Sequence, residues 1–178
     1  MSKPKVATVW LTGCAGCHMS LLDTDERILD IAAAVEITAS PITDIKEIPE
    51  VDVGVVEGAV SNTHNIEALE KLRARCKILV ALGDCAGFGC IPMLRNGLPL
   101  REVLEHGYIW TKSTAGGVVP QDPELPRLLD QVHPLRDFVK VDVHLPGCPP
   151  SADAIFHALV ELASGRMPQV PQELLKYD

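Results

Sequence analysis

Two cysteines stand three positions apart in "LTGCAGCHMS", residues 11–20, directly after a short apolar run. Thiols at that spacing serve as a redox pair, as half of a zinc site, or as half of an iron–sulfur site. Four further cysteines follow: Cys76, Cys85 in "GDCAGFGC", Cys90 in the same motif, and Cys148 in "LPGCPPS". Cys14 and Cys17, Cys85 and Cys148 each lie just past an apolar run and beside glycine or proline, where backbone can approach a bulky group closely. Zinc sites usually draw on two local cysteine pairs. Here one pair is local and the other two cysteines stand alone, which favours a cluster wider than one ion. A C-x-x-C redox pair explains Cys14 and Cys17 but leaves Cys85 and Cys148 idle. Cys76 continues the apolar stripe of Leu69 and Leu72 and reads as core. Cys90 is an alternative to Cys85, which is better placed because it follows its strand directly.

The elements that must present these thiols alternate between apolar runs and helical periods. Strands are expected over 5–11, 35–40, 51–58, 77–83 and 138–145, rich in β-branched residues and bounded by Gly, Pro or Asp. The first, third and fourth are almost continuously apolar, as for strands covered on both faces. Helical spacing is expected over 19–34, 63–75 and 151–163, with Pro149 and Pro150 at the start of the last. Between 87 and 136 the pattern is irregular, with a long loop over 111–126 and short helices near 100–105 and 125–132. The alternation predicts an α/β fold, a flavodoxin-like doubly wound parallel sheet in a single domain spanning 1–178. No G-x-G-x-x-G follows a strand, which argues against a dinucleotide-binding Rossmann domain. In a parallel sheet the carboxyl ends of all strands share one edge, so the separated cysteines converge there.

Composition narrows the partners. The chain has 178 residues, 47% hydrophobic and 22% charged, with a formal net charge of −8. Such acidity argues against nucleic acid, which needs clustered Lys and Arg, and offers an anionic membrane nothing. No run approaches the roughly 18 apolar residues that span a bilayer, and no secretory signal is visible. A cytoplasmic location is expected, where thiols stay reduced and six cysteines point to metal or redox chemistry rather than disulfides.

Glu57 is the acid that stands out, ending the apolar run "VGVVEG" on the cysteine edge. Partial desolvation there predicts a raised pKa suited to moving protons. The plainer reading is a helix cap or a hydrogen bond to the backbone of Gly58 or Ser61. Amides of Thr12, Gly13, Ala86 and Gly147 are expected to face the cluster sulfurs. His18, directly after Cys17, is placed to contact a cluster sulfur or a partner, although a surface position at a helix start is the more usual reading. His64 is equally ambiguous, and the other histidines receive no role. Trp10 and Trp110 are expected to pack.

The motifs "GCAGCHMSLLD", "VVEGAV", "ALGDCAGFGCIP" and "LPGCPPSAD", in that order over residues 6–162, resemble the small subunits of [NiFe]-hydrogenases. More narrowly they resemble the short small subunits of cytoplasmic, bidirectional NAD-reducing enzymes. The resemblance implies one [4Fe–4S] cluster held by Cys14, Cys17, Cys85 and Cys148, proximal to a nickel–iron centre in a separate large subunit, with diaphorase subunits that reduce NAD. It also places Glu57 close to that cluster, as a proton relay or a carboxylate that can approach iron. No cysteine follows Cys148, so a single cluster is expected. The related complex I subunit has adjacent cysteines in its first motif, unlike Cys14 and Cys17. Relatives more often have glycine where Cys90 stands. The cysteine loop occupies the place of a flavodoxin's phosphate loop, so FMN is not expected. Two other readings remain at this point: a sulfur- or deazaflavin-reducing cytoplasmic hydrogenase subunit, and a free iron–sulfur electron carrier.

Overall fold

A computed structural model of the chain describes residues 3–45 and 47–175. The expected domain of 1–178 therefore includes six residues outside the described ones: 1, 2, 46 and 176–178. The strands are β1 (Lys5–Trp10), β2 (Glu36–Ala39), β3 (Val51–Glu57), β4 (Val60–Asn62), β5 (Cys76–Leu82), β6 (Leu128–His133) and β7 (Val143–Leu145). The α-helices are α1 (Gly16–Leu22), α2 (Ile28–Ala34), α3 (Thr63–Arg75), α4 (Gly83–Phe88), α5 (Cys90–Met93), α6 (Leu100–Tyr108) and α7 (Ala152–Ala163).

The central sheet is wholly parallel with order β2-β1-β3-β5-β7. That is the doubly wound flavodoxin-like order, whose switch point falls between β1 and β3. Both faces are covered. On one face, Cys17 of α1, Ile31 of α2 and Ile155, Ala158 and Leu162 of α7 pack on Val6, Val53, Val55, Val80 and Leu145. On the other, Leu69 and Leu72 of α3 and Ala86 of α4 pack on Ala7, Val56, Leu79 and Ala81. This two-sided burial explains why β3 and β5 are continuous Val, Ile and Leu runs.

Register positions the site. Trp10 pairs with Glu57, Glu57 with Leu82, and Leu82 with Leu145, so four strands end in one row.

Four expectations change. The helix over 19–34 is two helices, α1 and α2, separated by a 3-10 turn at Asp25–Arg27 in which Asp25 has φ 52°. The strand over 138–145 is reduced to β7, because Phe138 and Val139 instead close a turn onto the Leu135 carbonyl. The helix near 125–132 is a strand: β6 pairs antiparallel with β4, which local periodicity does not reveal. The segment read as irregular from 87 onward opens in regular structure, the end of α4 and then α5.

Candidate metal centre at the carboxyl edge of the sheet

The row of strand ends sets the starting points of the cysteine loops: Cys14 four residues past Trp10, Cys85 three past Leu82, Cys148 three past Leu145. The loops are then tied to one another. Thr12 and Ala59 exchange amide–carbonyl bonds of 3.0 and 2.8 Å, joining the Cys14 loop to the turn after Glu57. The Asp84 amide donates to the Gly147 carbonyl at 2.9 Å, and the Gly147 amide to Asp84 Oδ1 at 2.8 Å, joining the Cys85 and Cys148 loops. Ser20 Oγ of α1 donates to the Pro150 carbonyl at 2.6 Å. The Cys148–Pro149 peptide is cis. Thr12 Oγ1 also bonds Ser61 Oγ at 2.5 Å and Asn65 Oδ1 at 2.9 Å. The amides of Thr12 and Gly147, expected to face sulfur, are thus already committed to backbone and carboxylate partners.

The thiols share one electrostatic neighbourhood. Burial pushes the Cys17 thiol far above its ordinary range, and Glu57, Cys85, Cys14 and Cys148 push it further. Burial, followed by Cys90, Cys148 and Cys14, raises Cys85 to about 11. Burial raises Cys148 as well, and the neighbouring Cys90 thiol pushes it further. Cys14 and Cys148 are exposed, Cys85 is half-buried and Cys17 is buried. Gly83 (φ 82°) lets Cys17 in: a Cβ on Gly83 would collide with the Cys17 sulfur. Thiols crowded to mutual repulsion are an all-sulfur donor set that a cation would relieve, deprotonating them as it binds. A single tetrahedral ion needs its sulfurs about 2.3 Å from one point. Among the described residues no three His, Cys, Asp or Glu side chains are gathered in that way. Cys76 lies elsewhere, buried at the start of β5 against Gly54 and Leu72.

Glu57 is 2% exposed and caps α1. Ala15 at the N-cap position has φ 62° and offers no side-chain acceptor. Its missing role is filled from β3: Glu57 Oε1 accepts the Cys17 amide at 3.2 Å and Oε2 the His18 amide at 2.9 Å. His18 Nδ1 lies 2.5 Å from the same Oε2. Burial alone would raise the Glu57 carboxyl, but the His18 ring, the His18 and Cys17 amides and the His18 charge outweigh it and hold the pKa below its ordinary value. The raised value expected from the sequence is thereby corrected, and the capping geometry is present.

His18 is 1% exposed rather than on the surface. The clue was available: a residue at the third position of a helix has an amide with no partner in the helix. Trp10 and Trp110 are 44% and 58% exposed instead of packed, although Trp10 meets the His18 ring edge-on at 5.6 Å. His64 is exposed.

Residues 14–162 match the family described as "NADH ubiquinone oxidoreductase, 20 Kd subunit". The chain belongs to this family. Within it, the resemblance to hydrogenases holds: the chain is 44% identical, over 99% of its length and 86% of the relative's, to the delta subunit of the NAD-reducing hydrogenase HoxS of Cupriavidus necator. It is 39% identical, over 96% of its length, to a subunit of the F420-non-reducing hydrogenase of Methanocaldococcus jannaschii, of which it spans 60%. A chain from the crystal structure of an NAD+-reducing [NiFe]-hydrogenase in the H2-reduced state superposes with a TM-score of 0.95 at 44% identity, covering 99% of both chains. A [NiFeSe]-hydrogenase chain of Desulfomicrobium baculatum, 22% identical with a TM-score of 0.61, shares the fold. This 20-kDa-family chain is a homologue of a hydrogenase delta subunit. No helix among the described residues is long and apolar enough to cross a membrane.

Proposed function

We propose that the chain is the electron-transfer subunit of a cytoplasmic NAD-reducing [NiFe]-hydrogenase, holding one [4Fe–4S] cluster on Cys14, Cys17, Cys85 and Cys148. The observation that supports it most directly is the aligned row Trp10–Glu57–Leu82–Leu145, from which three cysteine loops rise on one edge of the sheet. The thiolate-only donor set fits such a cluster, and its ligands reach it from separate loops. The bound cluster would supply one-electron storage between a nickel-bearing large subunit and diaphorase subunits.

The chain's own residues do the holding. Gly83 leaves room for the Cys17 sulfur, and Asp84 fixes the Cys148 loop through the Gly147 amide. Glu57 fixes the first turn of α1, on which Cys17 sits. The segment after Cys85 leaves Phe88, Ile91, Leu94 and Leu98 exposed, an apolar surface beside the thiols suited to an obligate partner. An interface of about 2,000 Å² or more is expected there for a permanent complex. The NAD-reducing reading is favoured over an F420-non-reducing one by the higher identity and by the match to nearly the full length of the solved chain.

Anaerobic co-purification with partner subunits, followed by iron, acid-labile sulfide and nickel analysis, tests it. About four irons and four sulfides assigned to this chain, with nickel in a partner, support the reading. One zinc without sulfide would overturn it, and iron and sulfide with no nickel-bearing partner would indicate a free electron carrier.

A further inference from the structure

Behind Cys17 runs an unbroken line of four buried polar side chains: Glu57, His18, Thr8 and Ser40. Glu57 Oε2 lies 2.5 Å from His18 Nδ1, and His18 Nε2 lies 3.0 Å from Thr8 Oγ1. Thr8 Oγ1 in turn donates to Ser40 Oγ at 2.8 Å. The line links the end of β3, the first turn of α1, the middle of β1 and the residue after β2. Its surroundings are aliphatic: Val6, Val55, Val80, Leu82 and Leu145 line the same interior as His18 and Thr8.

Packing does not require this line. Glu57 caps α1, but apolar groups of the same shape in place of the paired Thr8 and Ser40 hydroxyls can be nearly neutral or stabilising. Each polar group placed there must be paired or it carries an uncompensated desolvation cost. Both nitrogens of the imidazole are engaged, and Trp10 closes against the ring edge. The ring is therefore held on both sides and cannot turn without breaking a buried hydrogen bond.

We propose that His18 is a positioning residue for the Glu57 carboxylate, and that Thr8 and Ser40 hold the imidazole in turn, fixing where a negative charge sits beside Cys17. The inference rests on the reading of Cys17 as a cluster ligand. Glu57 accepts the amide of Cys17 itself at 3.2 Å and that of the next residue at 2.9 Å, so its placement fixes a carboxylate directly beside that ligand. Charge and hydrogen bonding around ligand sulfurs are levers on a cluster's potential, and residues that orient such groups typically matter 10–100-fold for metal affinity or activity.

The test uses the assembled complex. Thr8→Val keeps the side-chain shape and removes the hydroxyl that orients His18. It is expected to keep iron and sulfide at parental levels, to shift the midpoint potential of the reducible cluster signal, and to lower hydrogen oxidation about 10-fold. Thr8→Ser is expected to restore both. Ser40→Ala cuts the line from its far end and should shift the potential in the same sense, which keeps the test open if Thr8→Val assembles poorly. A potential and spectrum identical to the parent's in both Thr8→Val and Ser40→Ala would overturn the proposal, as would a shift that Thr8→Ser fails to reverse. A parent complex whose chain carries no sulfide-containing cluster would instead overturn the ligand reading itself.

Discussion

Glu57 holds His18 at two points: its Oε2 accepts the His18 backbone amide at 2.9 Å and lies 2.5 Å from the same residue's ring Nδ1. With Oε1 on the Cys17 amide, one carboxylate from the end of β3 serves as the N-terminal acceptor of α1. A helix beginning at a left-handed Ala15 has no local cap, so the sheet supplies it.

Glu57→Gln keeps one amide acceptor and the side-chain shape but removes the charge. The expected result is a complex with parental iron content and hydrogen oxidation lowered by about 10-fold or more. Glu57→Ala also strands the His18 ring and two amides in the interior. It should lower stability by about 1–3 kcal/mol for each unpaired group, read by denaturant unfolding.

Asp84 joins two cysteine loops through its carboxylate oxygen on the Gly147 amide. Asp84→Ala leaves that amide unpaired and frees the Cys148 loop. Iron should then be lost to a chelator faster than from the parent. Asp84→Asn retains an acceptor at the same place and should hold iron at close to the parental rate.

Gly83→Ala meets two obstacles at once, a φ of 82° and the Cys17 sulfur. The backbone conformation alone costs about 1–2 kcal/mol. Loss of both thermal stability and iron is expected, whereas Gly97→Ala, with open space around its Cβ position, should alter neither by that mechanism. Parallel melting curves and iron assays on the two variants check this.

Asp142 gives the clearest pH dependence. Burial pushes its carboxyl up, but the Leu79 amide, Arg73 and Lys140 outweigh that and hold it down to about 2. A carboxylate with a depressed native pKa contributes stability above the unfolded value near 3.9 and loses it as pH falls toward the native one. Stability should therefore decline between about pH 4 and pH 2 through this group. Asp142→Asn should remove that part of the acid sensitivity, seen as a flatter stability curve in urea titrations.

Thiol labelling separates the cysteines by burial. In chain freed of metal, Cys14 and Cys148 should alkylate first, and Cys17 and Cys76 last, since both are buried with raised pKa values. Peptide mass mapping after short iodoacetamide exposure reads the order.

What is local in cause was legible in the residues. Ile66, Leu69 and Leu72 at helical spacing define α3 over Thr63–Arg75, and the Val, Ile and Leu runs of β3 and β5 announce strands buried on both faces. From that alternation the parallel sheet followed, and with it the placing of Cys14, Cys17, Cys85 and Cys148 at strand ends on one edge. What depends on distant partners was not legible. β6 is a strand because it pairs with β4, nearly 70 residues earlier, and local periodicity suggested a helix. The environment of Glu57 was decided by its register opposite Trp10 and by the docking of α1, which brings His18 from 39 positions away. Burial alone predicts a raised carboxyl pKa, and burial with three donors gives a lowered one, so the sign was set by contacts that only the tertiary structure makes.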